Sequence, residues 1–183
     1  TIIEQTIVPK NPAKKSEDGI VVTPDFIAVI DGSTSKTDRR YSLLHSNGEY
    51  AMRLISRYIR RMPKTTTCHQ FCVGVTQYIR KHYKRSQLQR LSEHPEERLT
   101  ASAIIFSRYS AGVIVGDCQC LVGGSFYDNP KPYEQELAER RAAIIAASPE
   151  PHDHFLADDT ARKAIIPRML ETMQNQNKTY AVI

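Results

Sequence analysis

The sequence predicts an α+β protein in which two antiparallel sheets stack with helix pairs on the outside. Two observations carry this. Short β-rich runs alternate with pairs of helical segments, in the order ββ(β)–αα–βββ–αα–β. A doubly wound parallel sheet needs single-helix crossovers instead. In addition, "DFIAVI" (25–30) is a continuous apolar run of the kind expected of a central strand.

The elements follow in order. "TIIEQTIV" (1–8) and "GIVVT" (19–23) read as strands, and Pro24 suits a turn into 25–30, so the last two form a tight antiparallel hairpin. In "NGEYAMRLISRYIRRM", Ala51, Leu54, Ile55, Tyr58, Ile59 and Met62 recur at helical spacing. Arg53, Arg57, Arg60 and Arg61 take the opposite side, and Pro63 stops the helix. "TTTCHQFCVGVTQYIRKHYKR" repeats the pattern on Cys68, Phe71, Cys72, Val75 and Ile79, with threonines offering an N-cap. Neither helix is apolar all round, so both are expected to cover a sheet. Residues 85–98 read as a loop. "LTASAIIFS", "AGVIVG" and "CQCLVGG" read as a three-stranded meander, and "SFYDNPKP" as a loop. Helices are expected over 132–147 and 157–176, the second kinked or restarted at Pro167, with a loop around "HDH" between them. "TYAVI" reads as a final strand.

The 183 residues fit one domain with a real core. A quarter of them are charged and the net charge is +5, compatible with anionic partners, phosphorylated ones included. No run approaches a membrane span of about 20 apolar residues. The N-terminus lacks the layout of a signal peptide. The expected location is therefore cytoplasmic. Cys68, Cys72, Cys118 and Cys120 lack both zinc spacing and a disulfide framework, and read as buried free thiols. The Arg/Lys faces at 53–61 and 80–85 read as solvated helix faces, since no aromatic interleaving accompanies them. His152-Asp153-His154 reads as a solvated loop.

The chemistry gathers at "FIAVIDGST". Asp31 ends an apolar strand, and Gly32 lets the backbone approach a neighbour closely. A metal ligand, a nucleophile and an ordinary turn are all open readings of Asp31. The hairpin brings Glu17 and Asp18 toward it. Three converging carboxylates would repel one another unless a cation neutralised them, and oxygen ligands favour Mg²⁺ or Mn²⁺. "GVIVGDCQC" repeats the strand–Gly–Asp layout at Gly116 and Asp117, although Gly-Asp is also a common hairpin turn. Two other phosphate chemistries fail on spacing. The Asp-x-Gly-Ser-Thr of actin-like ATPases needs a residue between Asp and Gly, and haloacid-dehalogenase phosphatases need an aspartate where Ser33 stands.

"SEDGIVV…FIAVIDGST", two helices, then "LTASAIIF…AGVIVGDCQCLV", over most of residues 14–125, resembles the metal-dependent serine/threonine protein phosphatases of type 2C. The order and spacing of the motifs carry the resemblance. It implies an αββα sandwich with a cleft at one sheet edge holding two Mn²⁺ or Mg²⁺ ions and a third, weaker site. Asp31 would bridge the two metals and carry the catalysis. The Gly32 carbonyl would be a ligand, Glu17 would bind one ion, and Asp18 and Asp117 would lie near the weaker position. The implied activity is hydrolysis of phosphoserine, phosphothreonine or a related phosphomonoester by a metal-activated water. The alternative is a module that binds phosphorylated partners without turnover. The chain departs from the pattern in places. Ser33-Thr34 follow Asp-Gly where the family has His or Val-Gly, so a general-acid histidine is missing, and His45 is the nearest in sequence. Ala13 stands where an arginine holds the phosphate, leaving Lys14 or Lys15 as stand-ins. The chain ends at Ile183 within an expected strand. The expectation is thus a single phosphatase-like domain over 1–183 that lacks its C-terminal part.

Overall fold

The structure, a computed structural model, describes residues 1–9, 13, 15–109 and 112–183. It is a mixed α/β protein. Among these residues it has two antiparallel sheets and six α-helices. The larger sheet has the order β1-β2-β3-β4, from β1 (Asp18–Val22), β2 (Phe26–Gly32), β3 (Ala101–Ser107) and β4 (Val113–Val115). β5 (Cys120–Val122) and β6 (Ser125–Tyr127) form a separate hairpin.

The β1–β2 hairpin forms as expected. Thr23 closes it, its hydroxyl accepting from the Phe26 amide at 2.9 Å while its own amide donates to the Phe26 carbonyl at 2.9 Å. Strand alternation then decides which side chains face the core. Val21, Phe26, Ala28, Ile30, Ala101, Ala103 and Ile105 are buried. They pack against Ala51, Leu54, Ile55 and Ile59 of α1 (Asn47–Ile59) and Phe71, Val75 and Ile79 of α2 (Cys68–Arg80). Each of the larger side chains gains about 1.5–3 kcal/mol by leaving water. Both helices begin where the caps place them. Ser46 accepts from the Glu49 amide at 3.1 Å, and Thr67 forms a reciprocal capping box with Gln70.

The opposite face of the sheet is apolar yet exposed: Val22, Ile27, Val29 and Phe106 are each 39–49% accessible. They are opposed in register, Val22 to Ile27 and Ile27 to Phe106.

Several expectations are corrected. Residues 1–8 form no strand and are exposed, because no strand of the sheet pairs with them. The loop at 85–98 contains two short 3₁₀ turns around α3 (Leu88–Glu93). The meander stops after β3–β4. β5 pairs with β6, inside the expected loop, across Gly123-Gly124, whose φ values of 57° and 84° fit a tight hairpin turn. α4 spans Glu134–Ala147. "HDH" opens α5 (His152–Ala157) rather than a loop, and α6 (Thr160–Met173) runs through Pro167 without restarting. "TYAVI" forms no strand; Tyr180 makes an isolated bridge to Gln176, and Ile183 exchanges two 3.1 Å backbone bonds with Ala101. The four cysteines are free, as expected, but not buried as expected: Cys68 is exposed and the other three are half-buried.

Candidate functional site

The register of the large sheet builds a polar row at one end. Asp18 lies opposite Asp31, and Asp31 opposite Ser102, so the three side chains share a face. That is the outward face, since Ile30 and Gly32 on either side of Asp31 point to the buried one. Asp117 extends the row. Its carboxylate accepts from the Ser102 hydroxyl at 2.5 Å, and its amide donates to the same oxygen at 3.3 Å.

Gly116 makes that approach possible. Its φ is +85°, and a Cβ there would stand 2.1 Å from the Ser102 hydroxyl. Asp117 also accepts from the Lys131 ammonium, forming an ion pair with it. Burial opposes ionisation of Asp117, but the bonds from Lys131 and Ser102 outweigh it and hold the carboxyl below the usual aspartate range. The Cys118 thiol lies against the same charges. Burial first, then the Asp31 and Asp117 carboxylates, push it up to about 11. It is therefore a neutral thiol, not a nucleophile.

The row opens into a cleft of about 460 Å³. Asp31, Ser102 and Asp117 line it together with Lys36, Lys131, Arg141 and Arg162, and α4 and α6 supply an apolar wall that includes Leu137, Ile165 and Met169. The Lys36 ammonium donates to the Thr34 carbonyl at 2.6 Å, and Arg141 pairs with Asp159 at 2.9 Å. Tyr180 is 7% exposed, and its hydroxyl has no hydrogen-bond partner among the described residues. Burial and then Asp117 raise its pKa.

Glu17 goes elsewhere. Its carboxylate accepts from the Ser46 hydroxyl at 2.5 Å and from the Thr34 hydroxyl, over the first turn of α1. There the helix dipole and the close glycine backbone of Gly48 favour it. Glu17, Asp18 and Lys15 line a second hollow of about 710 Å³, separate from the cleft although Thr34 borders both. Gly32 is buried against Gly48: a Cβ on it would stand 2.2 Å from the Gly48 carbonyl oxygen and 2.7 Å from that of Glu17. His45 is not in the cleft; its imidazole lies 2.9 Å from the Glu49 carboxylate. Lys14 lies outside the described residues.

Asp18 and Asp31 thus stand opposite in register but border different hollows, and the Asp18 carboxylate accepts from the Ser16 hydroxyl at 2.8 Å; Asp117 joins the row through Ser102, and Glu17 does not converge on them. Among the described residues, no three His, Cys, Asp or Glu side chains come together in a way that would hold a metal ion. A closed two-ion centre does not fit this arrangement. Two hydroxyls hold Glu17 and an ammonium holds Asp117. Sequence reasoning passed over Ser102, Lys131 and Tyr180. The one signal available was Lys131 between two prolines in "NPKP".

No known protein family's profile matches the chain, and no curated protein does. Among solved structures, it is similar to PppA, a key regulatory component of the T6SS in Pseudomonas aeruginosa, at 20% identity and a TM-score of 0.42, over 71% of this chain and 57% of that one. It is also similar to the Mycobacterium tuberculosis serine/threonine phosphatase PstP/Ppp, at 18% identity and a TM-score of 0.38, over 74% of this chain and 55% of that one. The chain spans little more than half the length of these two proteins. Likeness at that level carries neither fold nor function over to this chain. Among the described residues, no helix is long and apolar enough to cross a membrane.

Proposed function

We propose that residues 1–183 belong to a phosphatase-like domain whose cleft receives the phosphate of phosphoserine, phosphothreonine or a small phosphomonoester, and that its hydrolysis calls on Mn²⁺ or Mg²⁺. The observation that supports this is the run Asp31–Ser102–Asp117, which lines a cleft that also presents Lys36, Lys131, Arg141 and Arg162. Cationic side chains suit a phosphate dianion, and arginine suits it best. A bound divalent ion would supply an activated water and neutralise phosphate oxygens. Asp31 is the carboxylate of the cleft that would hold it.

A specific observation favours a second reading, binding of phosphorylated partners without turnover. Protein donors already engage Glu17 and Asp117. The exposed apolar face of the sheet supports a sandwich in which a further β layer stacks against it, as the αββα arrangement requires.

The deciding experiment is hydrolysis of p-nitrophenyl phosphate with and without Mn²⁺, beside an Asp31→Asn control. Mn²⁺-dependent turnover that D31N abolishes supports the hydrolase. Turnover no greater than that of D31N sinks it. In that case, retained affinity for inorganic phosphate supports the binding module.

A further inference from the structure

We propose that Lys131 is a tethered cation that takes the place of a divalent ion at Asp117. The inference rests on the phosphatase-like reading, and it changes which carboxylates that reading can use. Three observations place Lys131 as a built-in part of the site.

First, its ammonium donates directly to Asp117, whose other carboxylate oxygen is held by Ser102 at 2.5 Å. Both sides of the carboxylate are therefore taken by protein donors. Second, the segment carrying Lys131 is fixed. Pro130 and Pro132 flank it, which restricts the backbone, and the Asn129 side chain donates to the Gly116 carbonyl at 2.8 Å. The segment is thus fastened one residue from the aspartate it serves, so docking the ammonium orders the lysine side chain but not the backbone that carries it. Third, the pair is only partly exposed, at 26% for Lys131 and 21% for Asp117, where solvent screens it less than on an open surface. A divalent ion approaching Asp117 must displace an ammonium that cannot diffuse away.

The arrangement leaves Asp117 with its charge balanced in the absence of metal. It confines any divalent ion in the cleft to the Asp31 end of the row. Lys131 is in this sense a specificity-determining residue for cation number.

The test reads Mn²⁺ binding to the whole chain, by the electron paramagnetic resonance signal of free Mn²⁺, with thermal unfolding confirming that each variant folds. K131Q is expected to gain a Mn²⁺ site, at Asp117, at least tenfold tighter than anything the parent offers beyond an ion at Asp31. K131M serves if K131Q does not fold. K131R is expected to stay at the parent level. The pair K131Q/D117N has the same net charge as the parent pair and is expected to lose the gain. K131Q binding no better than the parent overturns the proposal. So does a double variant that keeps the gain, or one that binds at least tenfold more weakly than the parent, since Asp117 would then already be a ligand. Hydrolysis of p-nitrophenyl phosphate by the parent is measured separately. Its absence would overturn the phosphatase reading alone, because Mn²⁺ binding is scored without turnover.

Discussion

Replacing Gly32 with alanine separates two reasons for a glycine after Asp31. As a metal ligand through its carbonyl, Gly32 could be alanine at little cost. As the contact between β2 and α1 it could not. An added Cβ would stand 2.2 Å from the Gly48 carbonyl oxygen, 2.6 Å from the Gly48 carbonyl carbon and 2.7 Å from the Glu17 carbonyl oxygen. All three are backbone atoms, so no rotamer change relieves the clash. The φ of Gly32 is not in the left-handed region, so the cost is overpacking alone. Overpacking costs about 1–3 kcal/mol, and two backbones that must part place this site near about 3 kcal/mol. For a chain of this size each kcal/mol moves the melting temperature by about 2–4 °C, so Gly32→Ala is expected to lower it by about 6–12 °C. Circular dichroism melts of the parent and variant measure it. A variant melting within about 2 °C of the parent would refute the packing argument and leave the glycine to ligand chemistry.

Other consequences follow from the same geometry. Ile30→Ala is expected to cost about 3 kcal/mol and Val29→Ala under about 1 kcal/mol, because Ile30 is fully buried and its neighbour is 49% exposed; equal losses in urea titrations would contradict the assigned faces. Ser46→Ala removes an N-cap and a donor to Glu17, and is expected to cost about 1–2 kcal/mol in the same assay. Glu97 accepts from Arg90 at 2.6 and 2.8 Å, which holds its carboxyl below the usual glutamate range against the opposing effect of burial. A depressed carboxyl gives stability that is present above the unfolded pKa, about 4.3, and is lost as pH falls through the lower folded value. Glu97→Gln is therefore expected to flatten the acid limb of a melting-temperature profile below about pH 5, and an unchanged limb would remove Glu97 from the explanation. Tyr180→Phe, without ligand, is expected to leave the melting temperature unchanged or raise it, since its hydroxyl has no protein partner among the described residues; a clear fall would show that the hydroxyl is bonded.

Local pattern made much of the fold legible. Pro24 between two apolar runs specified the β1–β2 hairpin, and with it the register that sets Asp18 opposite Asp31, because pairing register follows from a tight turn. The spacing of Leu54, Ile55 and Ile59 placed α1 over the sheet. Where the reading failed, the deciding contact was distant or the signal was overridden. Residues 1–8 have strand composition but no partner edge. "LVGGSFY" held a Gly-Gly hairpin signal, yet the preceding strands suggested that β5 would continue their meander. Nothing local shows that Glu17 is captured by Ser46, 29 residues on, or that Lys131 reaches back 14 residues to Asp117.

The position of the acidic row follows from the core rather than from the motif. Side chains alternate along a strand, so burying Phe26, Ala28 and Ile30 beneath α1 and α2 forces Ile27, Val29 and Asp31 to the other face. The same parity sends Asp18 outward with Val22, and Ser102 outward with Phe106. Slipping β2 by one residue would carry Asp31 under the helices and bury an uncompensated carboxylate, at a cost of several kcal/mol. The helices therefore specify the row through the face of the sheet they bury. They also set what it faces, for the row shares its surface with the apolar stripe of Val22, Ile27, Val29 and Phe106. A layer stacked on that stripe would lower the dielectric around Asp31, and so strengthen its hold on any cation it binds.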